Sequence, residues 1–235
     1  MKYDGLGNQY KYPYNIPAIQ HLAKVKELRF SKPVTFFVGE NGSGKSTLLE
    51  AIAVALGFNP EGGSRDHLFS TRDTHSKLSK HISIIKSISP EDGFFLRAES
   101  FYNVASYLDD TSTLKRYGWV SLHEQSHGES FLSLVENRFE GNGLYLLDEP
   151  EAALSPRRLM SLLLLIDRVV KKNSQFIIAT HSPIVMAYPD SEIMLFSGDG
   201  ITTVAFKETE QYLITKQFVE RPEQMIKYLF SEELQ

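Results

Sequence analysis

Gly39-Glu40-Asn41-Gly42-Ser43-Gly44-Lys45-Ser46 has the spacing G-x-x-x-x-G-K-[ST], and each residue type in it has a chemical reason. Glycines let the backbone curl until successive N–H groups point inward at an anion. A helix opening at Lys45 aims the positive end of its dipole at the same point. The Lys45 ammonium would reach the β- and γ-phosphates of a nucleotide, and the Ser46 hydroxyl would hold Mg²⁺. Gly39 through Ser46, with Thr47 beside them, are therefore the candidate nucleotide-binding residues. The bland alternative is an ordinary strand–turn–helix. It is disfavoured because an apolar run precedes the loop and a helical pattern follows it, the context this chemistry needs.

Two further groups fit the same chemistry. Leu144-Tyr145-Leu146-Leu147-Asp148-Glu149-Pro150 is an apolar run ending in two carboxylates. Charges confined to the carboxyl end of a buried strand sit at the mouth of a parallel sheet, where ligands bind. Asp148 suits the Mg²⁺ shell, and Glu149 suits polarisation of an attacking water. His181 follows the run Phe176-Ile177-Ile178-Ala179-Thr180 and belongs at the same mouth, where it would meet the terminal phosphate. A lone histidine is more often structural than functional, so its candidacy depends on that placement.

Positioning these groups requires strands alternating with helices. Pro33 to Val38 reads as a buried strand feeding the loop, with a helix from Lys45 to about Leu56 that stops at Gly57. Leu144 to Leu147 and Gln175 to Ala179 read as strands, and Pro156 to Lys172 as a long helix. His81 to Ile88 and Phe94 to Ala98 flank a turn at Ser89-Pro90-Glu91-Asp92-Gly93, which predicts a hairpin. A second hairpin is predicted around Ser197-Gly198-Asp199-Gly200. Residues 58 to 80 read as loop, 100 to 125 as helical in parts, and Ser130 to Phe139 as helix. The Tyr-, Asn- and Pro-rich first 20 residues read as an irregular arm, and Glu208 to Leu229 as helix. In that tail Phe218, Met225, Ile226 and Phe230 give an amphipathic packing face whose expected use is core. The pattern implies an α/β class with a mostly parallel sheet flanked by helices.

Bulk composition narrows the alternatives. The chain has 235 residues, 42% hydrophobic and 23% charged, which excludes wholesale disorder. A formal charge of -4 advertises no global basic field for nucleic acid. With no cysteine there is no disulfide, thiolate zinc site or cysteine nucleophile. No signal-peptide pattern opens the sequence, and the apolar run from Leu159 to Val170 is short of the roughly 20 residues of a membrane span. The expectation is a cytoplasmic protein without membrane insertion.

Taken together, the phosphate loop, the Asp148-Glu149-Pro150 strand end and the His181 strand end resemble the ABC ATPases. Glu151-Ala152-Ala153-Leu154-Ser155 looks like that family's D-loop, which crosses the dimer interface. Ser126-His127-Gly128-Glu129-Ser130 looks like its signature, usually Leu-Ser-Gly-Gly-Gln, with Ser126 and Gly128 matching but His127 and Glu129 departing. The resemblance gives Ser126, Gly128 and Glu129 a role on the partner subunit's γ-phosphate; the bland reading is a helix N-cap with an acidic first turn. Glu99 stands where the family has its Q-loop glutamine, as a candidate contact to Mg²⁺. Tyr12 and Tyr14 are candidates for adenine stacking by position alone. The wording from Val38 to Ile52 is similar to the soluble SMC and RecF-like branch and to small stand-alone predicted ATPases.

The resemblance implies a P-loop NTPase fold of ABC type, with an antiparallel β part and a short helical insertion. It implies one domain over 1-235: an arm over 1-20, a signature lobe over about 100-140 and a helical tail over 208-235. It further implies Mg²⁺-dependent hydrolysis of ATP by an ATP-gated homodimer, in DNA repair, chromosome maintenance or defence, with DNA or a protein as partner. Two alternatives stay open: a nucleotide-binding subunit of a membrane transporter, and a slow nucleotide switch regulating a protein partner. The short stretch between Glu99 and Ser126 leaves no room for a long coiled-coil arm and cramps a transporter's helical lobe.

Overall fold

The computed structural model describes residues 1–5, 7–64, 77–98 and 127–232. The expectations for Glu99, for Ser126 and for the stretch between them lie outside the described residues. In chain order the strands are β1 (Lys2–Tyr3), β2 (Val34–Gly39), β3 (Ile82–Ser83), β4 (Asp92–Arg97) and β5 (Gly143–Asp148), then β6 (Gln175–Ala179), β7 (Glu192–Ser197) and β8 (Gly200–Thr203). The helices are α1 (Pro17–Val25), α2 (Lys45–Ala55), α3 (His127–Arg138) and α4 (Pro156–Val170), then the one-turn α5 (Pro183–Met186), α6 (Glu210–Glu220) and α7 (Pro222–Glu232).

Six strands form one sheet in the order β4-β5-β6-β2-β7-β8, while β1 and β3 make a separate antiparallel pair. All neighbours in the large sheet are parallel except β7 and β8, which form the predicted hairpin. The central strands are apolar without alternation because both faces of the sheet are covered. Successive residues of β2 show this. Phe36 packs with Phe131, Leu134, Leu162 and Ile166 on the side of α3 and α4. Phe37 packs with Ile19, Leu22, Leu48 and Ile52 on the side of α1 and α2.

Local sequence explains the covering helices. In α4, Leu159, Leu162, Ile166 and Val169 are buried along one stripe, whereas Met160 and Leu164 face outward. Its first residue is Pro156, whose fixed φ and missing N–H suit that position. Helix α1 ends at Lys26, which adopts a left-handed conformation and returns its N–H to the Leu22 carbonyl.

The structure corrects three expectations. No hairpin joins residues 81–98: β3 pairs with β1, and β4 lies parallel to β5. Phe94, Phe95 and Leu96 are buried on both faces, which suits a strand inside a layered sheet and not one arm of a half-exposed ribbon. An antiparallel bridge from Gly63 to Phe95 shields the outer edge of β4. Second, the first 20 residues are not wholly irregular, since β1 and the start of α1 lie there. Third, the tail is two helices. They break at Arg221, the residue before Pro222, where a helical conformation is disfavoured. Helix α6 buries no residue, and Phe218, Ile226 and Phe230 are exposed, so the tail is not core packing. The sheet faces are already occupied by α1 to α4. Among the described residues no helix is long and apolar enough to cross a membrane.

Candidate nucleotide-binding site

The carboxyl ends of β2, β5 and β6 meet because these strands are parallel neighbours in register. The phosphate loop leaves β2 and turns directly into α2. Its tightness explains the glycines. Gly39 has φ 141°, and a Cβ there would sit 2.2 Å from the Phe196 carbonyl oxygen. Gly44 has φ 101°, and a Cβ there would meet Ile16 at 2.8 Å. Only glycine tolerates both the angle and the approach.

Lys45 is buried, and its Nζ donates to the carbonyls of Gly39 at 2.8 Å and Glu40 at 2.9 Å. The side chain therefore folds back across the loop it must serve. Burial pulls its ammonium below the usual lysine range, opposed by the negative charges of Glu149, Asp148 and Glu151. Ser43 Oγ is buried with no hydrogen-bond partner among the described residues. An orphaned buried hydroxyl in this loop is the kind of polar group that a bound oxyanion would satisfy.

Ser46 Oγ donates to Asp148 Oδ1 at 2.8 Å, joining residues 102 apart in the chain. A hydroxyl and a carboxylate side by side are hard oxygen donors of the kind Mg²⁺ takes alongside nucleotide phosphates. Among the described residues no group of three His, Asp or Glu side chains could hold a metal alone. The donor set thus fits a metal that arrives with phosphate oxygens.

Glu149 sits one residue further out in a left-handed conformation, φ 51°, which a non-glycine residue seldom adopts. Its N–H donates to the Ala179 carbonyl at 2.9 Å, which ties it to the end of β6. His181 Nε2 lies 3.7 Å from Glu149 Oε1 and is itself buried without a hydrogen bond among the described residues. Glu151 holds the histidine's backbone: one carboxylate oxygen accepts from the Thr180 hydroxyl at 2.8 Å and from the His181 N–H.

The described part of the signature-like stretch, from His127 onward, opens α3. Gly128 packs so closely on the turn after β5 that a Cβ would be 2.9 Å from the Ala153 carbonyl oxygen. Glu129 forms an ion pair with Arg158 of α4 at 2.9 Å. On the opposite flank, the Tyr12 hydroxyl is 3.1 Å from Thr47 Oγ1 and its ring is largely exposed beside the loop. Tyr14 instead packs edge-on against His81, away from the loop.

The sequence gives Glu50, Arg97 and Arg158 no role at the site, and gives Glu151 only a place in the D-loop resemblance. In the structure Arg97 bonds Glu50 at 2.8 Å and faces Asp148 at 3.4 Å. Its position as the last residue of an apolar strand, like Asp148, was the available signal. The partners from α2 and α4 had none, because they depend on how helices are laid across the sheet.

Two family models match in succession. One, described as "AAA domain", covers residues 18–126. The other, described as "AAA domain, putative AbiEii toxin, Type IV TA system", covers residues 115–187. Together the two matches run from residue 18 to residue 187, and they support an ATPase domain of the AAA/ABC P-loop type. Among curated proteins it is 28% identical over 206 residues to a tyrosine transport ATP-binding protein of Clostridioides difficile, spanning 75% of this chain and 81% of that one. It is 24% identical over 230 residues to the xylose import ATP-binding protein XylG of Moorella thermoacetica, spanning 87% of this chain and 45% of that one. Among solved structures, the SMC head domain from Thermotoga maritima matches with TM-score 0.43 at 16% identity, over 75% of this chain and 91% of that one. The cbiO1 protein from Clostridium perfringens matches with TM-score 0.46 at 20% identity, over 87% and 90%. Likenesses at these scores carry no part of the assignment.

Proposed function

We propose that the chain binds ATP with Mg²⁺ and hydrolyses it, working as an ATP-gated homodimer. The observation that carries this reading is the contact between Ser46 and Asp148, which brings the phosphate loop and the acidic strand end into one site. Gly39 to Thr47 cradle the phosphates, Lys45 pairs with the β- and γ-phosphates, and Ser46 and Asp148 hold the metal. The metal, when bound, screens phosphate charge and aligns the terminal phosphoryl group. Glu149 orients the attacking water and draws its proton, and His181 steadies the terminal phosphate from the end of β6. The N-terminus of α3, with Gly128 and Glu129, meets the partner's γ-phosphate, so ATP contacts both subunits only in the closed state.

The biological setting we favour is DNA repair, chromosome maintenance or defence, with DNA or a protein as partner. The family model whose description names a toxin system supports the defence side. A second reading, the nucleotide-binding subunit of a transporter, is favoured by the names of the two curated relatives. The experiment is ATP turnover by wild type and Glu149→Gln, with and without double-stranded DNA. Turnover that DNA accelerates and Glu149→Gln abolishes supports a DNA-linked ATPase. Turnover indifferent to DNA keeps the ATPase and points to a protein partner; no turnover and no nucleotide binding sinks the reading.

A further inference from the structure

Arg97 ends β4 and is the register partner of Asp148 at the end of β5. Its Nη1 donates to Glu50 Oε2 at 2.8 Å and to the Pro60 carbonyl at 3.3 Å. Its Nε faces Asp148 Oδ2 at 3.4 Å, and the guanidinium carbon lies 5.9 Å from the Phe95 ring centre. The cation is therefore fixed from several sides, between a carboxylate on α2 and one on β5. The two oxygens of Asp148 are divided: Oδ1 accepts the hydrogen bond from the Ser46 hydroxyl, while Oδ2 faces Arg97.

This arrangement is unexpected beside a carboxylate suited to a metal. Glu50 and Asp148 are 16% and 7% exposed, so their charges are poorly screened. Two such carboxylates converging on one point would attract a hard divalent cation. Arg97 occupies that point, and a guanidinium keeps its charge at every working pH. The main-chain ladder between β4 and β5 does not need this side chain.

We propose that Arg97 is a positioning residue for Asp148: it orients the carboxylate and, as a resident cation between Glu50 and Asp148, weakens the hold of the bare site on a divalent metal. A metal then enters with a triphosphate, whose negative charge offsets the guanidinium. The inference rests on the nucleotide reading for the identity of the ligand, but its test on the nucleotide-free protein does not.

Mn²⁺ serves as the probe, titrated into nucleotide-free protein and followed by the paramagnetic resonance of free Mn²⁺. Arg97→Gln is expected to bind Mn²⁺ about tenfold more tightly than wild type, the scale on which neighbours of metal ligands act. Arg97→Lys should stay near wild type. Glu50→Gln removes an attracting charge and should bind about tenfold more weakly. A merely structural arginine would lower or leave unchanged the metal affinity of its variant, so Arg97→Gln binding equally or more weakly overturns the proposal. Should that variant not fold, Glu50→Gln decides alone: unchanged or tighter Mn²⁺ binding overturns it. Wild-type binding of a fluorescent ATP analogue in EDTA, run in parallel with Lys45→Ala, reports separately on the nucleotide reading.

Discussion

Glu151 accepts hydrogen bonds from the Thr180 hydroxyl and the His181 backbone N–H, so it anchors the histidine whose Nε2 stands 3.7 Å from Glu149 Oε1. The turn after β5 and the segment after β6 are thereby tied through one side chain. Removing the acceptor leaves a part-buried donor pair unsatisfied. Glu151→Ala should lower stability by about 1–3 kcal/mol in urea unfolding and depress ATP turnover. Glu151→Gln keeps an acceptor oxygen and should restore most of both; an alanine variant as stable and active as wild type would show that the anchor is dispensable.

Glu149 and Lys45 separate chemistry from binding. Glu149→Gln should retain ATP affinity within about twofold, slow turnover by at least about a hundredfold, and accumulate a dimer with ATP on size-exclusion chromatography. Lys45→Ala should weaken nucleotide binding by about tenfold or more, since a buried cation facing the phosphates is lost. Normal hydrolysis by Glu149→Gln would remove Glu149 from the role of base.

Far from the phosphate loop, Asp92 joins β4 to α3 and β5. It accepts from Arg138 at 2.6 Å and from the Tyr145 hydroxyl at 2.6 Å. Burial alone would raise its carboxyl, but these two partners outweigh burial and hold it below the ordinary carboxylate range. A depressed carboxyl contributes stability above its unfolded value, about 3.9, and loses it as pH falls through the lower folded value. Asp92→Asn should therefore cost about 2 kcal/mol at pH 7. The gap from wild type should narrow below about pH 4 in chemical unfolding measured across pH. A gap that stays constant down to pH 2 would assign the loss to packing.

Gly128 tests the seat of α3. An alanine Cβ would lie 2.5 Å from Arg158 Nη1 and 2.9 Å from the Ala153 carbonyl. The arginine tip can move aside, but the carbonyl belongs to the turn after β5. Gly128→Ala should cost about 1–3 kcal/mol in thermal or urea unfolding by pushing α3 off that turn. A variant with unchanged stability would mean that the turn yields freely.

The sequence by itself determined the sheet-and-helix class, the phosphate loop and the acidic strand end, because these are written in local residue order. Glycines at 39, 42 and 44, and apolar runs closed by Asp148 and His181, carry their meaning at short range. It determined the β7–β8 hairpin for the same reason, with its turn residues lying between two strands. Tertiary structure alone decided the partner of β4. Phe94-Phe95-Leu96 is compatible with a hairpin or a buried parallel strand, and only the helices covering both faces select the second. It also decided the fate of the tail. An amphipathic pattern shows that a helix has an apolar stripe, not whether a sheet face remains free to receive it, and α1 to α4 had taken both. The charges that converge on Asp148 are decided in the same way. Ser46, Arg97 and Glu50 lie far from it in the chain, and strand register together with the lie of α2 sets which of them reach it.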